Sequence, residues 1–152
     1  MKKFEFTGET KTISLFFRTA TLHRIRAVAE FGLVKIGDLG GWIEKEENLS
    51  HEGKAWVCGD AEVWGNAKVF SASHVLVIGA IGSRDDFTTF FRDKDNEITV
   101  KCGCFLGKID KFLEKVTQTH GDSKYALVYR AAVEVARLQI DLSGEAPKDA
   151  DE

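Results

Sequence analysis

Between Leu49 and Ile78 the chain repeats itself every six residues: LSHEGK, AWVCGD, AEVWGN, AKVFSA, SHVLVI. The first place holds Leu49, Ala55, Ala61, Ala67 and Ser73; the third holds His51, Val57, Val63, Val69 and Val75; the fifth holds Gly53, Gly59 and Gly65, then Ser71 and Val77. A fixed short period fixes an architecture. Each hexad predicts one short flat strand and a corner, coiling the chain into a β-solenoid with small residues and valines inward. Trp56, Glu62, Trp64, Lys68 and Phe70 fall at outward places. So few hexads make fewer than two coils, whereas such arrays need about three repeats and caps. Exposed aromatics on that scale also want a cover. The cover has to come from the N-terminal strands, the C-terminal module or another subunit. The hexads therefore predict a homo-oligomer, a dimer or trimer, with Trp56, Trp64 and Phe70 at its interface.

The flanks divide the chain into segments 1–48, 49–79, 80–142 and 143–152. In the first, Ile13 to Phe17 and Leu22 to Val28 read as strands. Arg24 and Arg26 alternate with Ile25 and Ala27, so one face is apolar and the other basic. That basic face, with His23 beside it, suits an anion or the acidic Glu44 to Glu47 segment. A turn-rich stretch from Gly32 to Trp42 leads into the hexads, with Trp42 and Ile43 placed to plug the open end. After Gly79 comes a loop, then a hairpin of Phe87 to Arg92 and Ile98 to Cys102. Gly103 to Gly107 reads as a connection. Ile109, Phe112, Leu113 and Val116 have the i, i+3, i+4, i+7 spacing of a buried helix face. Tyr125, Val128, Ala132, Val135 and Gln139 mark a second helix running to about Ile140. Residues 143–152 are acidic and breaker-rich, which predicts a disordered tail.

With 43% hydrophobic and 30% charged residues, the chain can bury a core. A net charge of −3 argues against broad nucleic-acid or membrane binding, which needs a positive field. No run approaches the ~18 apolar residues of a membrane helix, and the start Met1-Lys2-Lys3-Phe4 lacks the apolar core of a signal peptide. Cys58, Cys102 and Cys104 are odd in number and lack framework spacing, so reduced thiols in the cytoplasm of a host cell are expected.

The hexads VCGDAE, VWGNAK and VFSASH resemble the repeat of left-handed β-helix proteins, an aliphatic residue followed four places on by a small one. A longer stretch, about Leu22 to Ile140, resembles a group of phage and prophage proteins. It is carried by LHRIRAV, by GDLGGWIEKEENLSH, and by a module like IGSRDDFTTFFRDKDNEITVKCGCFLG ending in THGD and a Tyr. The resemblance implies an expandable solenoid ahead of a C-terminal module, and a phage-type origin. The fold class expected is mainly β with C-terminal α: a short left-handed β-helix flanked by N-terminal strands and a hairpin plus two helices. Many left-handed β-helix proteins are trimeric acyltransferases using a histidine, which makes a small acyltransferase the alternative function.

The strongest constellation comes just after the hexads. Gly82 and Ser83 offer turn amides to an anion, and Arg84 a permanently charged planar fork. Thr88 or Thr89 adds a hydroxyl. Phe87, Phe90 or Phe91 offers a ring to a base, and Arg92 a second cation. With His120, Ser83, Arg84, Thr88, Thr89, Phe91 and Arg92 form the expected ligand site. Read structurally, Arg84 pairs with Asp85 or Asp86 and the threonines are plain strand residues. Cys102 and Cys104 are too close together for the usual zinc spacing and would need His120 and Cys58 as partners, so no metal is expected. His120 suits a helix end, where the dipole favours a cation. No nucleophile elbow, phosphate loop or paired metal-binding histidines occur. No catalytic residue and no cofactor are therefore assigned. The expectation is a non-catalytic phage-type counter-defence protein, sequestering an anionic nucleotide-like ligand or blocking a host defence protein.

Overall fold

Alternation of apolar and polar residues sets the first sheet. The computed structural model describes residues 2–15, 18–103 and 105–143. Strands β1 (Phe4–Ser14), β2 (Thr19–Ala27), β3 (Leu39–Ile43) and β4 (Glu62–Val63) form one four-stranded sheet in that order. The first three are antiparallel, and β4 joins β3 in parallel, Trp42 against Glu62 and Ile43 against Val63. Strand β2 starts at Thr19, earlier than its strongest signal. Its Arg24 and Arg26 do not meet the Glu44 to Glu47 segment. Arg26 pairs with Glu5 at 2.7 Å and Arg24 with Glu9 at 3.8 Å, both from β1. Arg24 also stacks its guanidinium over Trp42, while Glu44 is taken by Arg18. Trp42 and Ile43 plug nothing: they lie in β3 and point to opposite faces, Ile43 into the valine core and Trp42 among Ile13, Ala20 and Leu22.

The hexads supply that core. Ala55, Val57, Ala61, Val63, Ala67 and Val69 are all buried, packed with Phe4, Ile25, Ile43 and Leu49. Yet among the described residues they carry a single two-residue strand, β4, so the structure is mainly β without a stack of coils. Beside the parallel β3–β4 pairing, Leu49 makes an isolated parallel bridge to Val69. Asn48, fully buried, fastens this corner: its Oδ1 accepts from the Glu44 and Lys45 amides, and its Nδ2 donates to the Gly65 and Ala67 carbonyls. A buried amide satisfied on both ends fixes a backbone without the cost of an unpaired polar group. At the other end Lys3 donates to the Ala55 carbonyl and lies over Phe31, while Phe4 stacks on His51 at 4.1 Å. Burial holds the Lys3 ammonium below its ordinary range.

The fifth hexad is not part of the repeat. Residues 72–74 form a turn, and Val75 begins β5 (Val75–Ile81), which pairs with β6 (Asp86–Arg92). The second segment thus ends near His74, and the expected boundary at residue 79 falls inside a strand. Strand β7 (Ile98–Cys102) comes next as expected, and the stretch read as a connection is a fourth strand, β8 (Phe105–Lys108). The order β5-β6-β7-β8 is an antiparallel meander. Helices α1 (Ile109–His120) and α2 (Lys124–Gln139) cover one face. The other face rests on the hexads: Phe91 joins the valine core edge-on to Trp64 at 4.8 Å, and Thr89 Oγ1 accepts the Glu62 amide. Glu62 reaches Lys11 at 2.5 Å and Lys101 at 3.6 Å, linking the two sheets. The second sheet is therefore a middle layer, which is why β6 is buried from Thr88 to Arg92 without alternation.

The cover for the hexad aromatics comes from the same chain. Trp56 and Trp64, expected outward, are half-buried, Trp56 edge-on to Phe31 and Trp64 to Phe91. Phe70 stays 53% exposed. Most of the acidic tail, residues 144–152, and Cys104 lie outside the described residues. Among the described residues no helix is long and apolar enough to cross a membrane, and no metal-ligating cluster occurs.

Candidate functional site

A cleft of about 210 Å³ opens where the β5–β6 loop, the β7–β8 turn and the two helices meet. The loop contributes Ser83, Arg84 and Asp86, and the turn Cys102 and Gly103. Phe105 of β8 and Phe112 and Val116 of α1 line it with apolar surface. Lys115, Thr119 and His120 come from the last turns of α1, and Tyr129 from α2.

Tyr129 organises the floor. It is 7% exposed, and its hydroxyl sits so close to Gly82 that an added Cβ there would lie 1.8 Å away. Gly82 holds φ +81, in the left-handed region, so backbone conformation and space both require glycine. Thr88 Oγ1 donates to Cys102 Sγ at 3.3 Å, and the Cys102 thiol in turn contacts the tyrosine hydroxyl. Burial, with Cys102 and Asp86 nearby, pushes the Tyr129 phenol up to about 12, against the weaker pull of the Ser83 amide. A neutral phenol at physiological pH donates a hydrogen bond; it is not a base. The His120 ring lies beside Tyr129, with centroids 5.7 Å apart and planes 29° off parallel.

The rim is cationic. Arg84 and Lys115 are exposed, and among the described residues neither makes a hydrogen bond or ion pair. Arg84 does not pair with Asp85 or Asp86; the Asp86 carboxylate instead caps the Phe87 amide at 2.7 Å. Two uncommitted cations over an aromatic floor suit a small anion carrying a ring.

Of the residues expected in the site, the fold brings Ser83, Arg84 and His120 together. Thr88, Thr89, Phe91 and Arg92 are not in the lining. All are 2% exposed or less, because β6 runs through the middle layer. Thr88 acts from behind, through Cys102; Thr89 and Phe91 face the hexads. Arg92 lies against His74 Nε2 at 3.0 Å and donates to Asn96 Oδ1. Lys115, Tyr129, Cys102 and the two phenylalanines are lining residues the motif search missed. The one available signal was helical spacing: Lys115 and Thr119 sit at i and i+4, directly beside His120.

The histidines inside the hexad stretch are structural. His51 Nδ1 accepts the Lys3 amide at 2.9 Å, and His74 is 3% exposed. Burial first, and the Arg92 charge second, hold His74 below the ordinary 6.5; Asp141 opposes them weakly. A folded-state value below the unfolded one means the unfolded chain takes up the proton first. The stability contributed is complete above about pH 6.5 and is lost as pH falls through that value toward the depressed one. His51, also lowered by burial, adds in the same direction. Melting curves are expected to show Tm falling between about pH 7 and 5, with a shallower fall in His74→Gln. A slope unchanged by that substitution would contradict the assignment.

Compared with known proteins, the chain matches no family model, and no curated protein is similar to it in sequence.

Proposed function

We propose that this is a non-catalytic binding protein of phage or prophage type that holds a small anionic, nucleotide-like ligand in the α1–α2 cleft, as a counter-defence sponge acts in the host cytoplasm. The observation that carries the reading is the pair of uncommitted cations, Arg84 and Lys115, lining the same cleft as Tyr129. The phosphate sits at Arg84 and Lys115; the base lies toward Phe105 and Tyr129. The scaffold is read as a single short coil of the left-handed β-helix type. Support comes from the alternating buried alanines and valines and from parallel pairings that join residue 43 to 63 and 49 to 69. Its role is to hold the second sheet, and so the cleft, rigid.

Thermal shift with mono-, di- and cyclic nucleotides tests the proposal on the intact protein. At a hundredfold excess over Kd, a nucleotide that binds is expected to raise Tm by roughly 5–10 °C. The matching nucleoside, lacking the anion, does less. Arg84→Ala removes a charge-assisted contact and weakens binding by about tenfold or more. A panel that leaves Tm unmoved at millimolar concentration would sink the reading. A shift with coenzyme A alone would favour the acyltransferase instead.

A further inference from the structure

His74 is held between two donors. It lies 3% exposed where the hexads end, and both of its ring nitrogens are engaged. Nδ1 faces the Phe70 amide at 3.3 Å, and Nε2 faces Arg92 Nη1 at 3.0 Å. An amide N–H and a guanidinium donate and do not accept, whereas a neutral imidazole has one acceptor nitrogen and one N–H. Either tautomer therefore sets one N–H against a donor, and the imidazolium sets two. The charged groups acting on the ring are Arg92 from β6 and Asp141 from the segment after α2, and the repulsion of Arg92 outweighs the attraction of Asp141. Phe70 closes the cluster, edge-on to His74 at 4.4 Å and beneath the Arg92 guanidinium at 5.3 Å.

The same cluster fastens the chain beyond α2. Asp141 donates its amide to the carbonyl of Ser73, the residue before His74, at 2.9 Å. Asn96 donates from Nδ2 to the Leu142 carbonyl, while its Oδ1 accepts from Arg92 Nε at 2.6 Å. Both anchors of residues 141 and 142 thus stand on the His74–Arg92 contact. Ile140, 4% exposed in the core beneath α2, does not depend on it. We propose that His74 and Arg92 form an acid-released clasp, in which a proton taken up by His74 breaks their contact and frees the chain after Ile140 while the two sheets and helices stay folded. The proton occupies the one acceptor nitrogen and sets a second positive charge beside the guanidinium. The ring leaves, Ser73 shifts with its neighbour, and Asn96 loses the group that orients it. None of these residues lines the cleft, so the clasp does not rest on the nucleotide reading.

The test is amide hydrogen exchange of the full chain, followed by NMR between about pH 7.5 and 5 with intrinsic exchange rates divided out. At the upper end the Asp141 amide is expected to be protected, but about a hundredfold or more below the β6–β7 ladder, because it opens locally. Below about pH 6.5 its protection is expected to fall about tenfold per pH unit, the slope of a one-proton linkage. His74→Gln, which does not titrate, is expected to hold one level of protection throughout. The wild type alone supplies a second readout: the His74 ring proton titrates below 6.5, with the same midpoint as the Asp141 and Leu142 amide shifts. An Asp141 amide unprotected at pH 7.5, or protected equally with the ladder, overturns the proposal. So does a His74 titration that leaves Asp141 and Leu142 unmoved, or a pH dependence that survives in His74→Gln. Protection that rises on acidification would mean that His74 and Asp141 pair instead, and overturns it too.

Discussion

Gly41→Val is expected to yield no folded protein, and Gly41→Ala a protein weakened by at least about 3 kcal/mol in urea unfolding. A Cβ at Gly41 would lie 2.5 Å from the Ala61 carbonyl oxygen and 3.0 Å from Val57 Cγ1. At Gly40 it would lie 2.7 Å from Ile25 Cγ1, from Trp56 Cζ2 and from the Val57 carbonyl oxygen. These are backbone and core atoms that cannot swing aside. Gly41 also donates its amide to Val57 at 2.7 Å, so β3 cannot back away without losing that bond. Gly59, the glycine of a repeat corner, makes the control. Its φ is +56 and nothing lies within 4 Å of a built Cβ. Gly59→Ala therefore carries backbone strain alone, about 1 kcal/mol. Equal losses at the two sites would refute the close approach at Gly41.

Phe91→Ala is expected to cost about 3–5 kcal/mol, the range for a fully buried phenylalanine. Phe91 is 1% exposed and belongs to the valine core, although its strand belongs to the second sheet. Removing its ring leaves Trp64 without its edge-on neighbour and opens the seam between the layers. Phe87→Ala in the same strand, at a site 41% exposed, should cost well under half as much. Denaturant melts monitored separately by tryptophan fluorescence and far-ultraviolet dichroism check both the loss and its cooperativity. The tryptophans all lie in the first sheet and the hexads, at Trp42, Trp56 and Trp64, while the helices lie beyond the seam. Noncoincident transitions in Phe91→Ala, against coincident ones in the parent, would show the seam failing first. A loss below about 1 kcal/mol would mean the layers are held together elsewhere.

Much of this architecture was legible in the sequence. The six-residue period identified the inward alanines and valines without error from Ala55 to Val69. The β6–β7 hairpin, the end of α1 and both ends of α2 came from periodicity and turn residues. The fifth hexad and the β6 site residues were misplaced for one shared reason. Ser73 and Val75 fit the hexad pattern at its first and third places, but Leu76-Val77-Ile78 continue into a strand covered on both faces. A single sequence does not show that a second layer waits on each side. The same circumstance hid the fate of Thr88, Thr89, Phe91 and Arg92: a hairpin next to a loop looks like an accessible site until helices close over one face and hexads over the other. Strand β8 was masked by Gly103 and Gly107, and it exists because β7 supplies a partner, Cys102 against Phe105. Of the α2 markers Ala132 is buried and Val128 half-buried, but Tyr125, Val135 and Gln139 are exposed, while Ala126, Tyr129, Val133 and Ala136 are inside. Two apolar stripes compete in that sequence, and the alanine-rich one wins because small side chains let the helix lie close to the sheet.

The middle position of the second sheet also governs how the chain can be taken apart. A fragment from Val75 onward would keep its helices but lay bare Val75, Val77, Thr89 and Phe91 as a flat, water-facing strand surface, the kind that recruits other edges and aggregates. A fragment ending at His74 would open its valine row at Trp64. Neither piece is a self-sufficient unit, although each contains a complete sheet. A cut at that seam will therefore misrepresent this molecule: loss of ligand binding in either piece reports the broken seam and not the residues removed.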